Sequence, residues 1–308
     1  MATPDPRPLR GITLIVLAMT AFTAMSAFVK AAEEVPAGQA MFFRSLFALP
    51  VVLGWLVMTG QLANGLKTRN PRGHIVRSVA GTAAMGLGFA GLKYLPLPEV
   101  TALRFITPVL IVIFAAVLLG ERFRLIRLSA VIAGLLGVLI IMWPRLTFDA
   151  SDGALFGVAV TLASAGLAAL AQIFVKSMTG RETTASIVFY FTVSGIFASL
   201  VTAPFGWVWP SLGDAAFLIG TGLVGGIGQL CVTLSYRYAE ASTLAPFTYV
   251  TMIWSIIVGY VFFAEIPTTA TLLGAALIMA AGAVIAWRER QLGLKQATEG
   301  KVVAKGMQ

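Results

Sequence analysis

The chain has 308 residues, of which 58% are hydrophobic and 11% are charged, and its mean hydropathy is +0.89. A composition this apolar excludes a soluble globular protein and predicts an all-α membrane protein that crosses the bilayer several times. The formal net charge of +9 does not indicate nucleic-acid binding, because the Lys and Arg residues are spread among short loops and the tail. The single cysteine, Cys231, excludes an intramolecular disulfide bond and a multi-cysteine metal site.

Ten apolar segments, each near the roughly 20 residues that a membrane-spanning helix needs, follow one another along the chain. Arg7 and Arg10 precede the first segment and no small-residue cleavage site follows it, so we expect a retained helix instead of a signal peptide. The polar and basic residues 288–308 are expected to be disordered. The ten predicted spans are residues 11–30, 37–58, 74–93, 98–119, 126–143, 153–175, 185–204, 214–236, 242–263 and 268–287.

Basic residues are distributed unevenly between the two sides of the predicted membrane. Seventeen of the 22 lie on the side of the N-terminus, Arg77 among them, and three lie on the other side, Lys30, Lys93 and Arg145. The lone His74, near Arg77, is expected to be a solvated loop residue. By the positive-inside rule both termini are cytoplasmic, in a bacterial-type inner (plasma) membrane. Two cytoplasmic termini require an even number of spans, which agrees with ten.

The two halves of the chain repeat one pattern. Residues 94–121 align with 238–265 without a gap, and a shift of 146 places "AFVK" (27–30) on "IFVK" (173–176). Because each half contains five spans, an odd number, the second copy enters the membrane from the opposite face, as in the inverted-topology repeats of secondary transporters. The predicted layout is a cytoplasmic N-terminus (1–10), a first repeat (11–143), a periplasmic linker (144–152), a second repeat (153–287) and a cytoplasmic basic tail (288–308).

Five stretches carry a resemblance to a known family: "FFRSLFALP" (42–50), "YLPLPEVTALRFITPVL" continued by "LLGE" (94–121), "APFTYV" (245–250), "FFAE" (262–265) and "TLLGAALIMAAG" (271–282). They resemble the drug/metabolite transporter superfamily, specifically its tandem EamA-domain members. The resemblance implies a bundle of ten transmembrane helices in which spans 1–4 and 6–9 surround a central cavity. Members of this family carry amino acids, S-adenosylmethionine, riboflavin or other small metabolites, in either direction. Glu121 and Glu265, which the family pattern also carries, are interpreted as structural residues at helix ends.

Motifs typical of soluble enzymes occur only inside apolar segments. "GLGFAG" (86–91) and "GTGLVG" (220–225) match G-x-G-x-x-G, but no strand precedes either, so close helix packing is the favoured interpretation. The sequence contains no Walker A lysine motif, catalytic triad or metal-ligand cluster, so we predict no enzyme, no ATP-driven pump, no cofactor and no metal. Every Asp and Glu lies at a predicted helix end, in a loop or in a tail, which favours facilitated diffusion or exchange over a carboxylate proton relay.

Arg44 and Arg104 lie inside predicted spans, about 10 Å from the outer boundary. A charge there costs at least about 2.5 kcal/mol and is a functional-site hypothesis. The alternative is snorkelling, in which the long side chain reaches back to the outer headgroups. The repeat aligns Arg104 with Thr248 and Arg44 with Tyr190, so the positive charge is predicted to be confined to the outer half of the bundle, which suits an anionic group. Pro108 has no N–H and is predicted to leave the carbonyl of residue 104 without its helical partner.

The resemblance distinguishes the two arginines. Arg44 matches the family's second-span arginine, whereas Arg104 departs from the small or apolar residue that is usual there. Arg104 is therefore the preferred specificity determinant.

Polar and aromatic side chains inside other spans complete the candidate substrate site, since each offers one hydrogen bond or stacking surface in an apolar pocket. A polar group bonded between helices is an equally favoured alternative for each of them. For Phe22, Met25, Phe89 and Phe105, packing or lipid contact is favoured over lining the pocket. The polar and aromatic candidates are Gln39, Gln172, Tyr190, Gln229, Thr233, Thr248, Tyr249 and Trp254.

The predicted function is alternating-access transport of a small organic metabolite with an anionic or zwitterionic part, with an amino acid or related compound as the first choice. A lipid or lipid-carrier flippase is the alternative, and a structural membrane subunit is a third hypothesis that leaves the inverted repeat unexplained. The predicted partners are a small-molecule substrate and the lipid bilayer, and association as a homodimer is left open.

Overall fold

The computed structural model describes residues 8–62, 66–68, 70–119, 125–147, 152–178, 182–239, 244 and 247–306. In these ranges the chain forms helices joined by turns and loops, and no β-strand. The helices are α1 (Pro8–Ala31), α2 (Ala37–Met58), α3 (Pro71–Tyr94), α4 (Leu97–Arg104), α5 (Thr107–Leu119), α6 (Leu125–Thr147), α7 (Asp152–Met178), α8 (Thr184–Leu200), α9 (Leu212–Tyr238), α10 (Val250–Phe263) and α11 (Thr269–Gly306).

Most of these helices are built to cross a membrane. Six are both long and apolar enough, namely α1, α2, α3, α7, α9 and the Thr269–Trp287 part of α11. Shorter apolar helices are α8, α10 and the Ser129–Pro144 part of α6. A helix satisfies its own backbone hydrogen bonds, which is what the water-free interior of a bilayer requires. The all-helical membrane protein predicted from composition is confirmed.

The predicted fourth span is interrupted. Helix α4 ends at Arg104 and α5 begins at Thr107, and the N–H groups of Phe105 and Ile106 bond three residues back at 3.2 Å instead of four. Pro108 offers no N–H to the carbonyl of Arg104, but Thr107 Oγ1 donates to that oxygen at 2.8 Å. The predicted loss of the helical partner at residue 104 is therefore confirmed, and the threonine hydroxyl takes the place of the missing N–H.

The second repeat contains the same interruption. Tyr249 is a turn residue immediately before α10, and Thr251 Oγ1 donates to the carbonyl of Thr248 at 2.6 Å. The repeat alignment pairs Thr251 with Thr107 and Thr248 with Arg104. In both interruptions a threonine hydroxyl therefore donates a hydrogen bond to the carbonyl oxygen three residues before it.

Proline is not the shared cause of the two interruptions, because Met252 occupies the position that Pro108 has in the first repeat. The two turns also meet in space. Phe105 and Tyr249, which the repeat alignment pairs, have ring centroids 5.3 Å apart and planes 80° apart. This edge-to-face contact holds the two interrupted segments against each other.

Helix packing places the interrupted segment centrally. Helix α1 packs along α9, α3 along α7, and α6 along α11, while α2 contacts both α8 and α9. Helix α4 contacts α7 on one side and α10 on the other. The largest apolar core joins both repeats and includes Leu92, Leu97, Leu103, Leu218 and Ile278, each at most 1% exposed.

The two glycine motifs bring helices together. A Cβ on Gly91 would overlap Thr161 of α7, and a Cβ on Gly222 would lie 2.8 Å from the carbonyl oxygen of Phe43 in α2. A larger residue at either position would push the neighbouring helix away. The interpretation of both G-x-G-x-x-G motifs as helix-packing sites is confirmed.

The C-terminal tail differs from its prediction. Residues 288–308 were expected to be disordered, but α11 continues as a helix to Gly306. No proline occurs after Trp287 to end the helix. The expectation of disorder is therefore wrong for residues 288–306.

Candidate functional site

Arg44 lies inside the bundle, in α2. Only 3% of the residue is exposed. A Cβ on Gly225 of α9 would lie 3.5 Å from Arg44 Nε and 2.7 Å from Met25 Sδ of α1, so the missing side chain makes room for the guanidinium between these helices. Among the described residues, Nε has no hydrogen-bond partner. Arg44 is therefore a buried cation that the described chain leaves uncompensated.

A second arginine, Arg77, lies beside it. Its Cζ is 3.8 Å from the ring centroid of Phe191 in α8, and Arg44 Cζ is 5.5 Å from the same centroid. Arg77 is 8% exposed, and its Nε and Nη1 are buried without a partner in the described part of the chain. Its assignment to the solvated basic loops is therefore wrong. The predicted confinement of interior positive charge to one half of the bundle is wrong as well, because Arg77 lies six residues from the start of α3.

Arg104 is the last residue of α4, and the described chain leaves part of its surface uncovered. A Cβ on Gly88 of α3 would lie 3.7 Å from its Nη1 and 3.0 Å from Ser164 Oγ of α7. Gly88 precedes the end of α3 at Tyr94 by six residues, or about 9 Å along the axis. The guanidinium thus points across the bundle toward α3, and does not reach back to the helix end as snorkelling requires.

Two lysines tie the ends of α1 and α3 together. Lys30 Nζ donates to two carbonyl oxygens at the end of α3 at 3.0 and 3.3 Å, and Lys93 Nζ donates to carbonyl oxygens at the end of α1. Lys30 also pairs at 2.8 Å with Glu265, whose other oxygen accepts the N–H of Leu97 at 2.8 Å. The last carbonyls of a helix lack helical partners, so these lysines satisfy them. Glu265 lies at helix ends as predicted, and Glu121 is outside the described residues.

A buried carboxylate lies at the other end of the bundle. Glu182 Oε2 is 3.3 Å from His74 Nε2, and Glu182 Oε1 accepts the N–H of Asn70 at 2.8 Å and the hydroxyl of Thr68 at 3.0 Å. The side chains of the histidine and the glutamate are 4% and 2% exposed. The prediction of a solvated His74 is wrong. The carboxylate connects the segment before α3 to the segment before α8.

Two of the predicted site residues bond to the backbone of other segments. Tyr190 OH donates to the carbonyl of Leu66 at 2.8 Å, and its ring lies 4.7 Å from that of His74. Both polar atoms of the Gln39 amide bond to the backbone of Val208, at 2.8 and 3.1 Å. These contacts correspond to the alternative of a polar group bonded between helices.

The remaining candidates lie in the second repeat. Trp254 has a buried indole N–H that finds no acceptor among the described residues. Tyr249 packs on Phe105, and its hydroxyl lies 2.5 Å from where a Cβ on Gly282 would be. Gln172 in α7 is exposed, whereas three candidates are half-buried: Gln229, Thr233 and Thr248.

Sequence reasoning missed Arg77 and its partner ring, although a helical stripe signals them. Arg77, Gly81, Met85 and Gly88 recur at spacings of four, four and three, which places them on one face of α3. Glycines on the same helical face as a charged residue indicate that its long side chain packs along that face, inside the bundle. His74 and Glu182 had no such signal, because 108 residues separate them.

Comparisons with known proteins identify similar sequences and a similar fold. Residues 9–143 and 153–287 each match the EamA-like transporter family. The chain is 31% identical over 276 residues to the pseudopaline exporter CntI of Pseudomonas aeruginosa, covering 88% of this chain and 94% of that one. It is 28% identical over 250 residues to an S-adenosylmethionine uptake transporter of Rickettsia prowazekii, covering 81% and 83%. A crystal structure of a protein 22% identical superposes with a TM-score of 0.63 over 92% of this chain and 97% of that one, so the fold is shared.

Proposed function

The chain belongs to the EamA-like transporter family, and we propose that it is a secondary transporter that moves a small organic anion or zwitterion by alternating access. An amino acid or a related compound is the first choice. The observation that carries the proposal is a set of three arginines inside the bundle, none of which forms an ion pair with the described residues: Arg44, Arg77 and Arg104. Interior cations of this kind mark substrate pathways, because an arriving anion compensates them.

The proposed architecture is ten membrane crossings in two repeats of opposite orientation. Two family matches of similar length support the repeat, and the equivalent interruptions before α5 and α10 support its symmetry. Five crossings in each repeat, an odd number, turn the second copy over. Both termini then lie in the cytoplasm of a bacterial-type inner membrane.

Within this architecture Arg104 is the proposed first contact for the anionic group, because its guanidinium points toward α3 and the described chain leaves part of the residue uncovered. The unpartnered indole N–H of Trp254 is a donor available to the same solute. Gln39 and Tyr190, whose polar atoms bond to backbone groups, are proposed to hold the two ends of the pathway in place.

The proposed function is tested with the purified full-length protein in proteoliposomes. Radiolabelled glutamate, aspartate, alanine, phenylalanine, riboflavin and S-adenosylmethionine are supplied in counterflow, with a fluorescent phospholipid as a separate assay. CntI is named as an exporter and the Rickettsia protein as an uptake transporter, so both directions are measured. We expect saturable movement of an anionic or zwitterionic solute that unlabelled solute inhibits. Movement of the phospholipid alone would replace this proposal with the flippase.

A further inference from the structure

Two buried guanidinium groups share one aromatic ring. Arg44 reaches the ring of Phe191 from α2 and Arg77 reaches it from α3, with Cζ-to-centroid distances of 5.5 and 3.8 Å. Like charges this close repel, and burial removes the water that would screen them. Three helices therefore converge on a concentrated positive charge that the described chain does not neutralise.

Two cations with a structural role, in contrast, find their partners within the chain. Lys30 and Lys93 each donate to carbonyl oxygens of the neighbouring helix, and Lys30 adds a carboxylate. Arg44 Nε and Arg77 Nε and Nη1 donate to nothing among the residues that the structure describes, although they are buried. A buried donor without an acceptor is costly, so this arrangement suits donors whose acceptor arrives with a ligand.

Glycines let the helices pack closely around this cluster. A Cβ on Gly81 of α3 would lie 3.0 Å from Phe191 Cε2 and 3.7 Å from Arg77 Nη1. A Cβ on Gly225 would lie 3.5 Å from Arg44 Nε and 2.7 Å from Met25 Sδ, so this glycine lets α9 approach both side chains. A carboxylate matches the free donors, because guanidinium groups bind carboxylates through paired N–H donors.

The cluster is separate from Arg104. Arg77 lies against Gly81 and Arg104 lies against Gly88, with the same distance of 3.7 Å from Nη1 to the Cβ position in both cases. The two glycines are seven residues apart on one face of α3, which is about 10 Å along the helix axis. An extended organic molecule with an acidic group at each end spans a distance of this order.

We propose that Arg44, Arg77 and Phe191 form a second anion subsite, and that the transported solute carries two separated carboxylate groups, one at this subsite and one at Arg104. This inference rests on the proposed function, since it assigns the substrate class of the same pathway. The two guanidinium groups, which the ring of Phe191 holds in place, contact one carboxylate, and Arg104 contacts the other.

Binding of the straight-chain dicarboxylates glutarate, adipate and pimelate to the full-length protein in detergent tests the proposal. Pentanoate, hexanoate and heptanoate have the same lengths and only one carboxylate. Thermal unfolding is followed over a concentration series of each compound. We expect the dicarboxylates to raise the unfolding temperature at concentrations about tenfold to a hundredfold lower than the monocarboxylates, because hydrogen bonds to charged groups are worth about 1.5–3 kcal/mol.

Variants assign this difference to the subsite. Arg77→Gln and Arg44→Gln should each remove most of the preference for two carboxylates, and Arg77→Lys should retain part of it. Arg72→Gln removes an exposed arginine from the first turn of the same helix and should leave the preference unchanged. A purely structural Arg77 would lower the unfolding temperature of the ligand-free protein while leaving the preference intact.

Equal stabilisation of the wild type by glutarate and pentanoate would overturn the proposal, as would an Arg77→Gln variant that keeps the full preference. Inorganic phosphate, used as a third probe, should stabilise less than glutarate, and equal stabilisation would show a site for any anion. Because binding is measured without transport, these outcomes are separate from the proteoliposome result on which the proposed function depends.

Discussion

Buried charged side chains in this protein differ in whether the chain supplies their partners. Lys30 satisfies the end of α3 and pairs with Glu265, so its charge is used within the fold. Arg44 and Arg77 are more deeply buried, 3% and 8% exposed against 16% for the Lys30 side chain, yet they keep unused donors in the described chain. Since a buried unpaired donor lowers stability, its presence is a physical reason to assign a binding role.

Arg104→Gln should weaken transport of an anionic solute about tenfold or more, because it removes a charge-assisted hydrogen bond. Arg104→Lys keeps the charge without the paired donors and should lose less. The measurement is initial rate in proteoliposomes at matched protein content. If all three proteins transport equally, Arg104 does not contact the solute.

Glu182→Gln should destabilise the protein by about 1–3 kcal/mol, because the buried carboxylate accepts hydrogen bonds from Asn70 and Thr68 and lies 3.3 Å from His74 Nε2. The check is thermal unfolding in detergent. Glu34→Gln changes an exposed carboxylate in the loop after α1 and is the matched control. Equal unfolding temperatures for the two variants would contradict a stabilising role for the buried carboxylate.

The informative elements are the two interrupted segments, α4–α5 and the one that ends in α10. In each a threonine hydroxyl donates to the carbonyl oxygen three residues before it, and so supplies a donor where the helical N–H is missing. The turn places Arg104 at a helix end beside the aromatic pair Phe105 and Tyr249. Proline occurs at only one of the two turns, so the threonine is the feature that the two share.

Thr107→Val should lower the unfolding temperature by about 2–4 °C, because it leaves the carbonyl of Arg104 without its hydroxyl donor at a cost of about 1 kcal/mol. Thr101→Val is the control, since the hydroxyl of Thr101 bonds to the carbonyl four residues before it inside a regular helix. If both variants unfold at the same temperature, the hydroxyl does not maintain the interruption.

At the scale of the whole molecule, different chemistry connects the helices at the two ends of the bundle. Lysines and Glu265 join α1, α3 and α4 at one end, whereas Glu182, His74 and Tyr190 join loop segments to α3 and α8 at the other. The three interior arginines lie between these two sets of contacts. In alternating access each set would have to separate in turn while the other remains closed.

The proposed orientation predicts the behaviour of reporter fusions. Fluorescent protein fused after Gln308 should be fluorescent, and alkaline phosphatase at the same position should be inactive, because the proposed orientation places the C-terminus in the cytoplasm. Alkaline phosphatase fused within residues 148–151, the proposed periplasmic linker, should be active. Active phosphatase after Gln308 and inactive phosphatase within residues 148–151 would show the reverse orientation. Equal activity at both positions would contradict an odd number of crossings between them.

The amino-acid sequence by itself determined the class of the protein, the approximate position of its apolar segments and the repeat, because hydropathy over about 20 residues and alignment of the halves are local properties of the chain. Only the tertiary structure decided which polar groups meet. Arg77 counted as a loop charge until Phe191 and Arg44 were seen around it. His74 likewise looked solvated until Glu182 was found against it. Whether a cation is compensated depends on side chains from distant helices, and no window of sequence contains those neighbours.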